Sequence, residues 1–150
     1  MRKLIYLGLS AAAGVALLAS PMRAEDKLPA EYAQAVKVTP VLTTPTTATG
    51  QPIMLPQKDV QLVAATYEIP AGAKLPVHKH AYPRYGYVLA GTLRETYIDT
   101  GKTVTYGPGG FILEGVDQWH KAETVGSEPV KLLVIDMLPK GENSTVLKTD

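Results

Sequence analysis

Beyond residue 56 the chain alternates short apolar runs with breaks rich in glycine or proline. Val60 to Ile69 stops at Pro70-Ala71-Gly72, Tyr85 to Ala90 at Gly91, and Thr92 to Ile98 at Asp99-Thr100-Gly101. Thr103 to Tyr106 stops at Gly107-Pro108-Gly109-Gly110, Phe111 to Leu113 near Gly115, Trp119 to Val125 at Gly126, and Val130 to Leu138 at Pro139. Short runs at this spacing, with many β-branched and aromatic residues, predict an all-β sandwich or barrel. Asp99-Thr100-Gly101 predicts a hairpin turn, with Gly101 supplying a positive φ. Outside the N-terminal segment no window of useful length has apolar residues at helical spacing.

The N-terminal pattern is different. Arg2 and Lys3 precede an apolar run from Leu4 to Ala19, and Ser20-Pro21-Met22-Arg23-Ala24 forms a processing region. This predicts a signal peptide over 1–24 and export to the periplasm or the medium. The competing reading is an uncleaved anchor, but the run is at the short end of the roughly 17–25 residues that span a bilayer. Residues 25–56 read as an N-terminal arm. From Val38 onward this arm is rich in threonine and proline, and it also carries Val41, Leu42, Ile53, Met54 and Leu55. A plain linker would lack those apolar side chains, so edge strands wrapping the domain are expected there. Residues 57–150 are assigned to the barrel.

Charge and composition then remove several function classes. Loss of Arg2, Lys3 and Arg23 with the leader takes the formal charge from +1 to −2, without a basic stripe. Nucleic-acid binding has no electrostatic support. The chain has no cysteine, which rules out disulfides, thiol catalysis and thiolate metal ligands. There is no phosphate-cradling glycine loop and no serine elbow.

The chemistry is concentrated in three histidines. His78 and His80 are two apart, so in an extended strand both rings point to one face. His120, the only other histidine, lies in a second strand-like stretch. If the two stretches pair, the three imidazoles meet at one point and can hold one divalent transition metal: iron, manganese, zinc, copper or nickel. Open coordination positions fit a catalytic centre better than a closed structural one. Arg84 shares the face of His78 and His80 by parity, and so does Tyr82, the best candidate for a phenol touching substrate. Trp119 falls on the opposite face from His120 and reads as packing. Glu114 is a candidate acid or base if it lies in the pocket, and a surface ion-pair partner if it does not.

The spacing of these residues resembles the two motifs of the cupin superfamily. Gly72 is followed by five residues, His78, Lys79 and His80, and Gly91 closes the first motif; Gly109, five residues, Gly115 and His120 follow the second. The resemblance implies a cupin-like double-stranded β-helix, a jelly-roll barrel of two facing antiparallel sheets, with His78, His80 and His120 as metal ligands. The homodimer expected here also comes from the family. The motif-1 glutamate is replaced by Arg84, and Gly115, Asp117 and Thr124 stand where the second motif has proline, glycine and asparagine.

Arg84 cannot ligate a metal. In one account it orients a substrate carboxylate beside the metal; in the other it pairs with Glu114, Asp117 or Glu95 and fixes the strands. The first account implies a dioxygenase-like oxidoreductase acting on a small anionic substrate. Two alternatives stand beside it: a non-catalytic metal or small-ligand binding protein of the cell envelope, and a Lewis-acid metal isomerase or lyase acting on a sugar acid.

Overall fold

A computed structural model describes residues 39–57 and 59–149; the expected leader over 1–24 lies outside them. The described chain forms nine strands: β1 (Val60–Ile69), β2 (His78–His80), β3 (Arg84–Ala90), β4 (Leu93–Tyr97), β5 (Thr103–Tyr106), β6 (Phe111–Leu113), β7 (His120–Thr124), β8 (Val130–Pro139) and β9 (Thr145–Leu147). They make two antiparallel sheets, one ordered β1-β8-β3-β6 and the other β5-β4-β7-β2-β9. Eight strands fall in or beside the predicted stretches. The hairpin between β4 and β5 forms as predicted, with Gly101 at positive φ.

Period-two alternation builds the core. In β8, Val130, Leu132, Val134, Asp136 and Leu138 are buried, and in β4 the buried set is Leu93, Glu95 and Tyr97. The apolar part joins Ile69, Val88, Ile112, Val130, Leu132 and Val134 of the first sheet to Leu93 and Ala122 of the second. Further along the same inward rows the residues become polar: Arg84 on β3, Glu95 on β4, His120 on β7 and Asp136 on β8. One interior therefore has an apolar part that stabilises the sandwich and a polar part where chemistry is placed. The two sheets are separate hydrogen-bonded ladders, and no strand is common to both.

The arm differs from expectation. Residues 39–57 contain one isolated bridge, Thr46 with Pro52, and no strand. Proline lacks the ladder N–H, and here threonine side chains take over local backbone groups. The Thr46 N–H donates to Thr44 Oγ1 (3.1 Å), and the Gln51 N–H to Thr47 Oγ1 (3.2 Å). The segment is fixed to the domain by the Ala48 N–H donating to the Leu113 carbonyl (2.8 Å). A reciprocal pair joins Gln51 to the backbone of Val116, at 3.0 and 2.9 Å.

β9 has no counterpart among the predicted strands. It pairs with β2 and brings Ser144 beside the polar part of the interior.

Candidate metal centre

β2 and β7 pair so that His78 stands directly opposite His120. Parity brings His80 to the same face. Ring centroids are 4.3 Å apart for His78 and His120, 5.1 Å for His78 and His80, and 5.2 Å for His80 and His120. One ligand atom from each ring lies within 4.8 Å of the others. His80 and His120 are 1% exposed and His78 is 8% exposed. The convergence expected from the sequence is present, as a buried cluster able to coordinate a divalent transition metal.

Backbone carbonyls set the tautomers. Nδ1 of His78 lies 2.8 Å from the Pro76 carbonyl, Nδ1 of His120 lies 3.0 Å from that of Gln118, and Nδ1 of His80 lies 3.3 Å from that of Ser144. A carbonyl only accepts, so each Nδ1 carries the proton, and in the neutral ring Nε2 presents a lone pair. Fixing the second nitrogen in this way is the usual support of a metal-binding imidazole.

Glu114, just after β6, enters the same space. Its Oε2 is 2.7 Å from Nε2 of His80 and 3.3 Å from Nε2 of His120. Neither contact has the alignment of a hydrogen bond, and Oε2 has no hydrogen-bond partner. Burial pushes the Glu114 carboxyl up, but contact with His120 and His80 outweighs it and holds the group below the usual carboxylate range. His120 responds in the opposite sense. Burial lowers its pKa, and the Glu114 carboxylate raises it to a net upward shift. The His78 ring is pushed down, first by burial and also by the other two rings. These residues fit a cation: neutral nitrogen donors converge with a carboxylate oxygen that lacks a partner.

Arg84 faces inward, and its partner is Asp136 rather than Glu114, Asp117 or Glu95. The two stand opposite each other on β3 and β8. Arg84 Nε donates to Oδ1 at 2.7 Å and Nη2 to Oδ2 at 2.9 Å, a two-pronged pair. Ser144 Oγ donates to the same Oδ1 at 2.7 Å. Arg84 Nη1 points at Nε2 of His80 from 3.5 Å, which again requires a lone pair on that nitrogen.

Tyr82 does not join the histidines. β2 ends at His80, residues 81–83 form a bend before β3, and parity is not carried across it. Tyr82 lines an outer groove with Gln51, Met54 and Leu55. The phenol beside the cluster is that of Tyr97, whose strand position is opposite His120 and whose ring is 5.5 Å away. Tyr97 is held neutral by burial and by the nearby Glu95 carboxyl, and its hydroxyl accepts the Gly115 N–H at 3.3 Å. A proline at 115 would remove that donor.

Glu95 is also buried, with Oε2 unpartnered. Burial, then the charge of Glu114, push it up to about 8. Asp117, where the second motif has glycine, takes the left-handed conformation glycine would take, with φ 58°. Its backbone N–H donates to the His80 carbonyl at 2.7 Å, and its carboxylate pairs with Lys79 at 2.9 Å.

Comparison with known proteins places this architecture. Residues 65–136 match the family model described as Cupin domain. The DMSP lyase DddQ from Ruegeria pomeroyi DSS-3 is 26% identical with a TM-score of 0.51, over 65% of this chain and 46% of that one. The polyketide cyclase RemF from Streptomyces resistomycificus is 24% identical with a TM-score of 0.50, over 59% of this chain and 63% of that one. Oxalate decarboxylase from Bacillus subtilis is 22% identical with a TM-score of 0.50, over 59% of this chain and 24% of that one. The chain thus spans less than two thirds of each of these structures. No curated protein matches it.

Proposed function

Because this chain carries a cupin domain with a three-histidine metal-binding triad, we propose that it is a metal-dependent lyase or isomerase acting on a small carboxylate-bearing molecule. The observation that carries this reading over the oxidative one is the state of Arg84. A dioxygenase of the kind expected from the sequence needs a free guanidinium to orient an anionic substrate. Here Nε and Nη2 are both engaged by Asp136. The substrate anion then has the metal itself as its positive partner. The similarity to a DMSP lyase points in the same direction.

His78, His80 and His120 would hold the ion. When bound, a divalent metal there supplies Lewis acidity, polarising a carboxyl or carbonyl oxygen so that a neighbouring C–H becomes acidic. The residues around it supply positions for protons. Glu95, pushed up to about 8, stays protonated at neutral pH and can hold a proton inside the domain. The Tyr97 phenol stays neutral and donates rather than ionises. A small crevice leads to Arg84 and Glu114 between Pro52, Ile53 and Met54 of the arm and Pro83 and Val116, so that segment shields the centre from bulk water. Export through the 1–24 leader and assembly as a homodimer belong to the same reading. Among the described residues no helix is long and apolar enough to cross a membrane.

The test is turnover without oxygen. Protein loaded with zinc or manganese is incubated anaerobically with small carboxylates bearing a β leaving group and with sugar acids, and products are followed by NMR. Product formation that needs metal and not dioxygen supports the proposal. Oxygen-dependent turnover of the iron form alone returns the assignment to an oxidoreductase, and tight metal retention with no turnover returns it to a binding protein.

A further inference from the structure

Glu114 occupies a position that neither histidine motif assigns to a ligand, yet its Oε2 reaches Nε2 of both His80 and His120. We propose that Glu114 is the fourth protein ligand of the metal, a carboxylate supplied from the end of β6 where Arg84 has replaced the carboxylate of the first motif. The inference rests on the metal reading of His78, His80 and His120 and not on the reaction assigned to it.

Three observations meet here. The first is a charge argument. Nδ1 of His80 and of His120 is fixed as a donor to a carbonyl, so the two neutral rings turn Nε2 lone pairs toward Glu114 Oε2. A lone pair and a carboxylate oxygen 2.7 Å apart repel each other unless a cation lies between them. A metal ion placed there meets that need for both nitrogens together. The second is the orphan oxygen. Oε2 is buried and lacks an aligned hydrogen bond, a state that only Glu95 Oε2 shares among the buried side-chain oxygens of the described residues, whereas buried carboxylate oxygens are as a rule paired. The third is distance. Two donor atoms bound at about 2.1 Å stand about 3.0 Å apart at the right angle of an octahedral site and about 3.4 Å apart at the tetrahedral angle; the Oε2 contact with His120, 3.3 Å, lies within that range and the one with His80, 2.7 Å, just below it.

Arg84 makes the substitution workable. Its guanidinium donates to Asp136, whose Oδ1 also accepts from Ser144, and makes no hydrogen bond to the Glu114 side chain, which leaves that carboxylate for the metal. The centre then has three nitrogens and one charged oxygen, with one positive charge of a divalent ion left for an anionic substrate.

The experiment uses the full chain labelled with 13C-carboxyl glutamate and titrated with Co(II) or Zn(II). The infrared difference between metal-loaded and metal-free protein is recorded, with affinity measured by calorimetry. The expected result is a glutamate carboxylate band that shifts on loading, persists in Glu95→Gln and is absent in Glu114→Gln, together with affinity at least tenfold weaker in Glu114→Gln. Loading of the wild-type chain without a shifted glutamate band overturns the inference, whatever the affinity of the variant. So does a band lost in Glu95→Gln and kept in Glu114→Gln. If Glu114→Gln does not fold, Glu114→Asp replaces it, and the band on the unsubstituted chain still decides whether a glutamate binds. Failure of the wild-type chain to bind any metal would instead remove the triad reading, and this inference with it.

Discussion

Arg84 and Asp136 face each other on neighbouring strands, 52 residues apart in the chain, and are joined by two hydrogen bonds of 2.7 and 2.9 Å. Both are buried, and the pair occupies the interior position next to the histidines. A buried ion pair is costly to break from one side, because the remaining charge has no partner. Asp136→Asn is expected to lose about 3–5 kcal/mol of stability, whereas the double change Arg84→Met/Asp136→Leu is expected to lose much less. Chemical denaturation of the two variants in parallel checks this. Equal losses would show that the pair acts through something other than its charges.

Glu95 gives the metal-free protein a pH signature. Its folded pKa is raised from 4.5 to about 8, by burial first and the charge of Glu114 second. The native state therefore holds a proton that the unfolded chain has already released. That contribution is fully present below pH 4.5 and is lost as pH rises toward 8, with a slope of at most about 1.4 kcal/mol per pH unit. Glu95→Gln should be flatter over that window and more stable than wild type at its alkaline end. Thermal melts of both proteins across the window, in chelator, are the measurement.

The sequence carried the histidine cluster because parity holds within a strand. His78 and His80 share a face on any extended backbone, and turn signals placed His120 on its own strand. Parity failed for Tyr82, where a three-residue bend intervenes, and it could not identify Asp136, because the register between β3 and β8 is a tertiary fact. Ser144 and β9 were missed for a related reason. Three residues after a turn have no alternation to read, and their strand character comes from the edge of β2 that receives them. Glu114 was visible as a candidate, but only the fold separates a buried carboxylate from a surface one. In the arm, the threonine and proline content spoke for extended backbone, and local hydroxyl contacts took the place of ladder pairing.

Gly91 closes the first motif for a steric reason. Its φ is +71°, and a Cβ there would stand 2.4 Å from the Pro129 carbonyl oxygen and 2.8 Å from Val130 Cα. Those atoms are backbone and have little room to move. Gly91→Ala should cost about 2–5 kcal/mol, the sum of left-handed strain and overpacking, and should appear as a lowered denaturation midpoint. Gly101→Ala, at φ +67° with open space around its Cβ position, bears the conformational cost alone and should lose only about 1 kcal/mol.

Asp117 makes the complementary case. It takes a left-handed φ of 58° in the turn before His120, and its ion pair with Lys79 is exposed on the aspartate side. Exposed pairs contribute about 0–1 kcal/mol, similar to the strain that glycine would relieve. Asp117→Gly should therefore lie within about 1 kcal/mol of wild type, while Asp117→Val, whose branched side chain tolerates this conformation poorly, should lose about 1–2 kcal/mol or more. Denaturation curves at low and high salt separate the terms, since salt screens the ion pair and leaves the backbone strain unchanged.

Metal binding should be legible in stability as well as in spectroscopy. A ligand that binds only the folded chain stabilises it by about 2.7 kcal/mol when present at a hundred times its Kd, so zinc should raise the wild-type melting temperature and a chelator should reverse the rise. The three Nε2 lone pairs that receive the ion are also the atoms that take up protons in acid. Glu114 raises the His120 pKa in the metal-free state, so proton competition there begins above the ordinary histidine value of 6.5. The zinc-induced shift should therefore shrink as pH falls through and below that value. His78→Ala/His120→Ala should show no shift at any pH, because the two rings that face each other across β2 and β7 are both gone. Scanning calorimetry with and without zinc, at several pH values, checks both. A zinc shift that survives the double substitution would place the ion somewhere other than the histidines.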